Sequence, residues 1–183
     1  MQGNGTDPLA VGLAAGDQRA FADLYDRFAG RLYRAALGML GCREDAEDAV
    51  QEVFGAVLRS RQSLTTVQDL TAYLFTVLRR TAGRIAVQRN RRPVLSETAI
   101  AEAAAPADSA WKSGGLDGHR LERALRTLPA EQREVIALKI DGELTFAQIG
   151  QVLGVSGNTA ASRYRYGLEK LRTEMGERRG IRD

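Results

Sequence analysis

Apolar residues recur at three- and four-residue steps along most of the chain, the spacing of one face of an α-helix. Phe21, Leu24, Tyr25, Phe28, Leu32, Ala36 and Leu40 form the longest such stripe, and Gly41 is placed to end it. Upstream, Asp7-Pro8 couples a capping side chain to a proline suited to a first helical turn, which predicts a short helix to about Ala15. Asp17 can cap the long helix. A third helix is expected from Arg43. Its opening turns carry Glu44, Asp45, Glu47 and Asp48, where negative charge suits the helix dipole. Its stripe is Ala46, Val50, Val53, Phe54 and Val57. Ser60 to Asp69 is polar without a period and reads as a loop. Leu70, Leu74, Val77, Leu78 and Ile85 then predict a fourth helix to about Gln88, with Arg80, Arg84, Gln88 and Arg91 in a row on another face.

Residues 93–118 have a different texture. Pro93, Pro106, Ala103-Ala104-Ala105 and Ser113-Gly114-Gly115 interrupt any apolar face, so the stretch reads as a flexible linker. Trp111 within it reads as a surface anchor. The period resumes at Leu121, Leu125 and Leu128. Pro129 opens a helix with the stripe Val135, Ile136 and Ile140 and the stop Gly142. Thr145 caps a short helix bearing Phe146, Ile149, Val152 and Leu153; Gly154 breaks it, and Ser156 caps a last helix from about Gly157 to Met175. The expected fold is all-α: two small helical domains, 1–92 and 119–183, joined by the linker 93–118. Thr145 to Leu171 has the arithmetic of a helix-turn-helix. Phe146, Ile149, Val152 and Leu153 are expected to bury against Leu168, Leu171 and the preceding helix.

Charge changes the picture more than composition does. The 183 residues carry a formal net charge of only +3, but it is segregated: net −3 over residues 1–59, +6 over 60–95, −1 over 96–127, −2 over 128–153 and +3 over 154–183. All but three of the basic residues are arginine, whose planar fork suits phosphates and base edges. One cysteine, Cys42, and one histidine, His119, exclude a Cys/His zinc site and an internal disulfide. Cys42 reads as a small buried filler. No nucleotide-cradling glycine loop, metal-ligand cluster or nucleophile–base pair is present, so no enzymatic activity, cofactor or metal is expected. No segment approaches the roughly 20 apolar residues of a membrane span, and no secretory signal opens the chain, so a cytoplasmic location without membrane insertion is expected.

Candidate chemistry emerges from these patterns. In the last helix Asn158, Thr159 and Ser162 are small and polar and permit close approach to base edges; Arg163 and Arg165 reach phosphate or guanine. An ordinary three-helix bundle with solvated arginines fits the same residues. Asp45, Asp48 and Glu52, with Gln51 beside them, form an acidic face that also suits a solvated helix. Arg79, Arg80 and Arg84 come after the polar loop and could hold a separated strand, with Tyr73 and Phe75 as stacking surface or as core.

Three passages together resemble one family. Ala20-Phe21-Ala22-Asp23-Leu24-Tyr25 is similar to the start of sigma region 2. Asp45-Ala46-Glu47-Asp48-Ala49-Val50-Gln51-Glu52-Val53-Phe54 is close to the signature DAEDxxQExF. Leu128-Pro129-Ala130-Glu131-Gln132-Arg133-Glu134-Val135, succeeded by the helix-turn-helix, resembles region 4. The chain thus resembles the small extracytoplasmic-function sigma factors of bacterial RNA polymerase over about residues 18–92 and 121–172. The resemblance implies a promoter-specificity subunit. Asp45, Asp48, Gln51 and Glu52 would contact the clamp helices of the largest subunit of core polymerase. Arg79, Arg80 and Arg84 would handle phosphate at the minus-ten element, and Asn158, Thr159, Ser162, Arg163 and Arg165 would meet the minus-thirty-five element of promoter DNA. It also implies an anti-sigma factor as a partner. A sigma-like decoy and a stand-alone helix-turn-helix regulator are the alternatives. The chain departs from the family pattern at Tyr73-Leu74, where Trp-Leu is frequent, at Gly83 within the melting helix, at Ala161, where a lysine is usual, and at Gly150, where alanine is usual.

Overall fold

A computed structural model describes residues 7–91 and 115–176. Among them every regular element is helical: α1 (Pro8–Ala15), α2 (Gln18–Leu40), α3 (Arg43–Arg59), a 3-10 helix (Arg61–Thr66), α4 (Leu70–Arg91), α5 (Gly115–Thr127), α6 (Ala130–Ile136), a π-helical turn (Ala137–Asp141), α7 (Phe146–Leu153) and α8 (Gly157–Glu174). The punctuation is local and obeys the sequence. Asp7 and Asp17 accept from the amides of Leu9 and Arg19 at 3.0 and 2.9 Å. Gly41 adopts φ 66°, where a side chain would be strained, and its amide closes α2 onto Leu37. Cys42 is half-buried at the start of α3 rather than fully enclosed. Its thiol donates to the Glu44 carboxylate at 3.1 Å, and burial raises its pKa.

The stretch expected as a loop contains the 3-10 helix. Leu64 is fully buried, and the segment packs on α1. Ser63, Thr65 and Thr66 donate their hydroxyls to carbonyls three residues back, at 2.8, 3.2 and 2.7 Å, which favours the tight winding. One apolar residue among polar ones sets no period, so periodicity could not reveal it. The expected linker is also shorter at its downstream end, because α5 starts at Gly115. Gly115 and Gly118 fall in the first turn, where a helix tolerates them better than in its interior. Trp111 lies outside the described residues.

The α-helix expected through Ile140 changes winding at Ala137. The amide of Gly142 bonds the Ala137 carbonyl five residues back, and that of Leu144 bonds Leu138. The extra residue in the turn rotates the positions after it. Ile140 consequently leaves the Val135–Ile136 stripe and is 45% exposed, while Asp141 turns inward and is 9% exposed.

The larger core runs from Leu24, Phe28 and Leu32 on α2 through Val53 and Val57 to Leu74, Phe75 and Leu78 on α4. It continues into Leu138, Leu144, Ile149 and Val152 of the C-terminal module. Phe75 is therefore core and not a stacking surface; Tyr73 is partly buried at its edge. A smaller core gathers Ala124, Leu128, Ile136 and Leu171, with Leu121 and Leu168 against it. The apolar face of α7 joins the core that includes α4. Of its expected partners, the preceding helix contributes Val135 and Leu138 to the same core, while Leu168 and Leu171 depart from the expectation and pack towards α5 and α6. The two modules thus share a seam. Arg31 donates to the Gly142 carbonyl at 3.1 Å through Nε, Gln148 donates to Asp69 at 2.9 Å, and Arg79 pairs with Glu134 at 2.7 Å.

Asp141 lies in that seam, and its buried Oδ2 has no hydrogen-bond partner. Burial pushes its carboxyl from the ordinary 3.8 up to about 6, with Arg34 of α2 opposing the shift. Arg31 on α2 and Lys139 and Glu143 on its own segment are the other charges nearby in sequence or across the seam. A raised pKa in the folded state means that this carboxyl favours the fold below 3.8 and that the benefit is lost as pH rises through about 6. Asp141→Asn should therefore raise the thermal midpoint at pH 7.5, by about 2–4 °C for each kcal/mol recovered. The advantage over the unsubstituted chain should shrink as pH falls below that window; scanning calorimetry across pH 4–8 checks it.

Candidate nucleic-acid interface

The helix-turn-helix is built by caps and one close approach. Thr145 and Gln148 form a reciprocal capping box at the start of α7, with the Gln148 amide donating to Thr145 Oγ1 at 3.2 Å and the Thr145 amide to Gln148 Oε1 at 3.0 Å. Gly154 ends α7 at φ 69°. Ser156 Oγ then accepts from the Thr159 amide at 3.0 Å and opens α8. A Cβ at Gly150 would lie 2.7 Å from the Val155 carbonyl oxygen and 3.0 Å from the Gly157 nitrogen. The bare backbone at Gly150 therefore lets α7 and the turn close to this distance, which accounts for glycine where alanine is usual.

On α8 the polar candidates divide. Asn158 and Thr159 are exposed, Ser162 is half-buried and Arg165 is exposed. At about 100° per residue, Asn158, Ser162 and Arg165 share one face. Tyr166, 58% exposed, borders it with Arg165 beside its ring, a surface the charge pattern alone did not reveal. Arg163 points round the helix to Glu131 on α6, with the ion pair at 2.8 Å.

The second basic surface lies along α4. Arg80 and Arg84 are exposed, and Tyr73 and Val87 lie on the same side by helical spacing. Arg84 pairs with Glu52, and Arg89 pairs with Asp45 at 3.2 Å. Arg79 is turned instead towards the seam and Glu134. The acidic candidates on α3 divide correspondingly. Asp48 and Gln51 are exposed to solvent, while Asp45 and Glu52 bridge α3 to α4. Continuing along α3, Phe54 stacks at 5.3 Å on the exposed Tyr25 of α2, and Leu58 is exposed beyond it. No group of three or more His, Cys, Asp or Glu among the described residues is arranged to hold a metal ion.

Comparison with known proteins agrees with this layout. Residues 24–92 match the family model of sigma-70 region 2, and residues 124–173 match that of sigma-70 region 4. The chain belongs to the sigma-70 family. It is 34% identical over 167 residues to the RNA polymerase sigma factor CarQ of Myxococcus xanthus, covering 88% of this chain and 92% of that protein. It is 27% identical over 177 residues to the extracytoplasmic-function sigma factor SigW of Bacillus subtilis, covering 87% and 91%. Its fold is similar to that of the sigma factor RpoE solved with the anti-sigma factor NepR from Bartonella quintana, with TM-score 0.68, 22% identity, and coverage of 88% of this chain and 99% of that one. This sigma factor is of the extracytoplasmic-function type and directs transcription initiation. The region 2 match covers α3 and α4, and the region 4 match covers the helix-turn-helix. No helix among the described residues is long and apolar enough to cross a membrane.

Removing the α8 cap tests the local construction. Ser156→Ala should cost about 1 kcal/mol of stability. A chemical-denaturation midpoint equal to that of the unsubstituted protein would show that the cap contributes nothing.

Proposed function

We propose a division of labour among three surfaces of this sigma factor. The acidic start of α3 docks on the clamp helices of the largest subunit of core RNA polymerase. Asp48 and Gln51 make the outward contacts, and Asp45 and Glu52 complete the face while anchoring α4. The row on α4, Arg80 and Arg84 with Arg79 and Tyr73, holds the strand separated at the minus-ten element. The start of α8 reads the minus-thirty-five element through Asn158, Thr159 and Ser162, with Arg165 on phosphate or guanine, and Arg163 reaches phosphate when it exchanges its Glu131 partner for DNA. The observation that carries this reading is the position of the signature helix: α3 is packed directly on the basic α4 and tied to it by two ion pairs. Polymerase docking and strand capture would thus share one rigid unit.

Each DNA reader is weak alone, and attachment to polymerase raises the effective concentration of both. The role needs no catalytic group, metal or cofactor of its own, and the protein would work in the cytoplasm beside polymerase. The likeness to a sigma factor solved with an anti-sigma factor supports an inhibitory partner of that kind. The assigned domains are 1–92 for core binding and the minus-ten element and 119–183 for the minus-thirty-five element.

In-vitro transcription with core polymerase on a library of randomised promoters tests the reading and yields the preferred motif. Activity is expected; absence of both transcripts and core binding would overturn it. Asp48→Arg should weaken core binding at least about tenfold, or 1.4 kcal/mol, while duplex binding by the helix-turn-helix is unchanged. Arg163→Ala should reduce use of the upstream element with core binding intact, and Arg165→Ala should do so through a lowered salt dependence, by about one phosphate contact.

A further inference from the structure

A cavity of about 370 Å³ lies between the C-terminal end of α2, the middle of α4 and the start of α6. That volume is in the range of small-molecule sites. One part of its lining is charged, with Arg79 and Arg80 from α4 and Arg133 and Glu134 from α6. Arg79 and Glu134 neutralise one another at 2.7 Å, so the carboxylate does not repel an anion. Arg80 and Arg133 have no ion-pair or hydrogen-bond partner among the described residues. Two uncompensated guanidiniums from distant parts of the sequence thus share one cavity against their mutual repulsion. The rest of the lining is apolar, chiefly Met39 and Leu40 of α2 and Ala82 and Ala86 of α4. Gly83 also lines the cavity. Its helical backbone does not call for glycine, since its φ is not positive. A Cβ there would meet nothing within 4 Å among the described residues, so no neighbour in the chain needs the missing side chain either. Glycine in a helix interior disfavours the helix. What Gly83 provides is open room in the cavity wall, with backbone accessible to a molecule from outside.

We propose that this cavity binds a small phosphorylated molecule that also carries a flat apolar ring, the chemistry of a nucleoside diphosphate. Arg80 and Arg133 hold the phosphates, each guanidinium offering a planar fork of N–H donors matched to phosphate oxygens. The lining carries three arginines and one glutamate, a net +2 that suits a polyanion. The ring lies along Met39, Leu40 and Ala86, in the room left by Gly83. Three helices bound the volume, so it holds one nucleotide unit and not a run of them. Arg80 also stands in the row assigned to the minus-ten strand, but nucleotide binding itself does not depend on that assignment.

Titration calorimetry of the full chain with ADP and GDP at low salt tests this. A Kd of about 100 µM or tighter is expected. Adenosine, which lacks the phosphates, and pyrophosphate, which lacks the ring, should each bind at least about tenfold more weakly than ADP. Arg80→Gln and Arg133→Gln should each weaken ADP binding at least about tenfold. Gly83→Leu should do the same by filling the cavity. Because leucine favours the helix, its thermal midpoint should be unchanged or raised, which separates lost binding from lost folding. Arg19→Gln removes a like charge about 30 Å away along α2 and should keep the affinity within about twofold. No binding of either nucleotide, pyrophosphate binding as tightly as ADP, or full affinity in Gly83→Leu would overturn the proposal. So would equal losses in Arg19→Gln and Arg133→Gln, which would mean diffuse charge attraction only. Core binding and transcription by the unsubstituted protein are separate readouts, so failure here and failure of the sigma assignment are distinguishable.

Discussion

The packing of the two modules depends on one close approach, that of α2 to the widened turn at residues 137–142. Helices normally keep their axes about 8–10 Å apart because side chains intervene. Here Gly38 offers no side chain, and Ala137 enters to contact distance. The π-helical winding then presents the Gly142 carbonyl to Arg31 and carries Asp141 inside. The apolar core extends with this contact across the seam, so that Leu138, Leu144 and Ile149 belong with Leu74 and Phe75. The cost is a buried carboxyl with an unpartnered oxygen, which opposes the apolar gain at neutral pH.

Charge is distributed so that opposite surfaces stay separate without losing mechanical connection. Asp45 and Glu52 neutralise arginines of α4 while Asp48 and Gln51 face outwards one turn apart. Exposed pairs of this kind add little stability, typically below about 1 kcal/mol each. The apolar core between α3 and α4 fixes how the two helices pack, and the ion pairs bridge them at its edge. On α8, helical phase places Arg163 away from the face shared by Asn158, Ser162 and Arg165, and Glu131 of α6 pairs with it there.

Much of this was legible in the order of residues. The caps Asp7, Asp17, Thr145 and Ser156 and the stops Gly41 and Gly154 act over a handful of residues, and all stand where local chemistry places them. The signature helix, the basic row and the helix-turn-helix are contiguous in sequence and were readable for the same reason. Leu64 escaped because a single apolar side chain has no period, and Ile140 because one extra residue in a turn shifts the phase of everything after it. The partners of Arg79, Arg84 and Arg163 escaped too, since an arginine's charge says nothing about which carboxylate lies within its reach.

The sequence by itself determined the helices, their caps and the alternation of acidic and basic blocks, because hydrophobic period, capping and dipole effects are set by residues within a few turns of one another. Only the tertiary structure decided which faces the modules share, that Phe75 is core and Tyr73 its rim, and that Asp141 lies buried between them. Those outcomes depend on close packing between segments far apart in the chain, where complementarity of shape and desolvation, not local spacing, selects the contact.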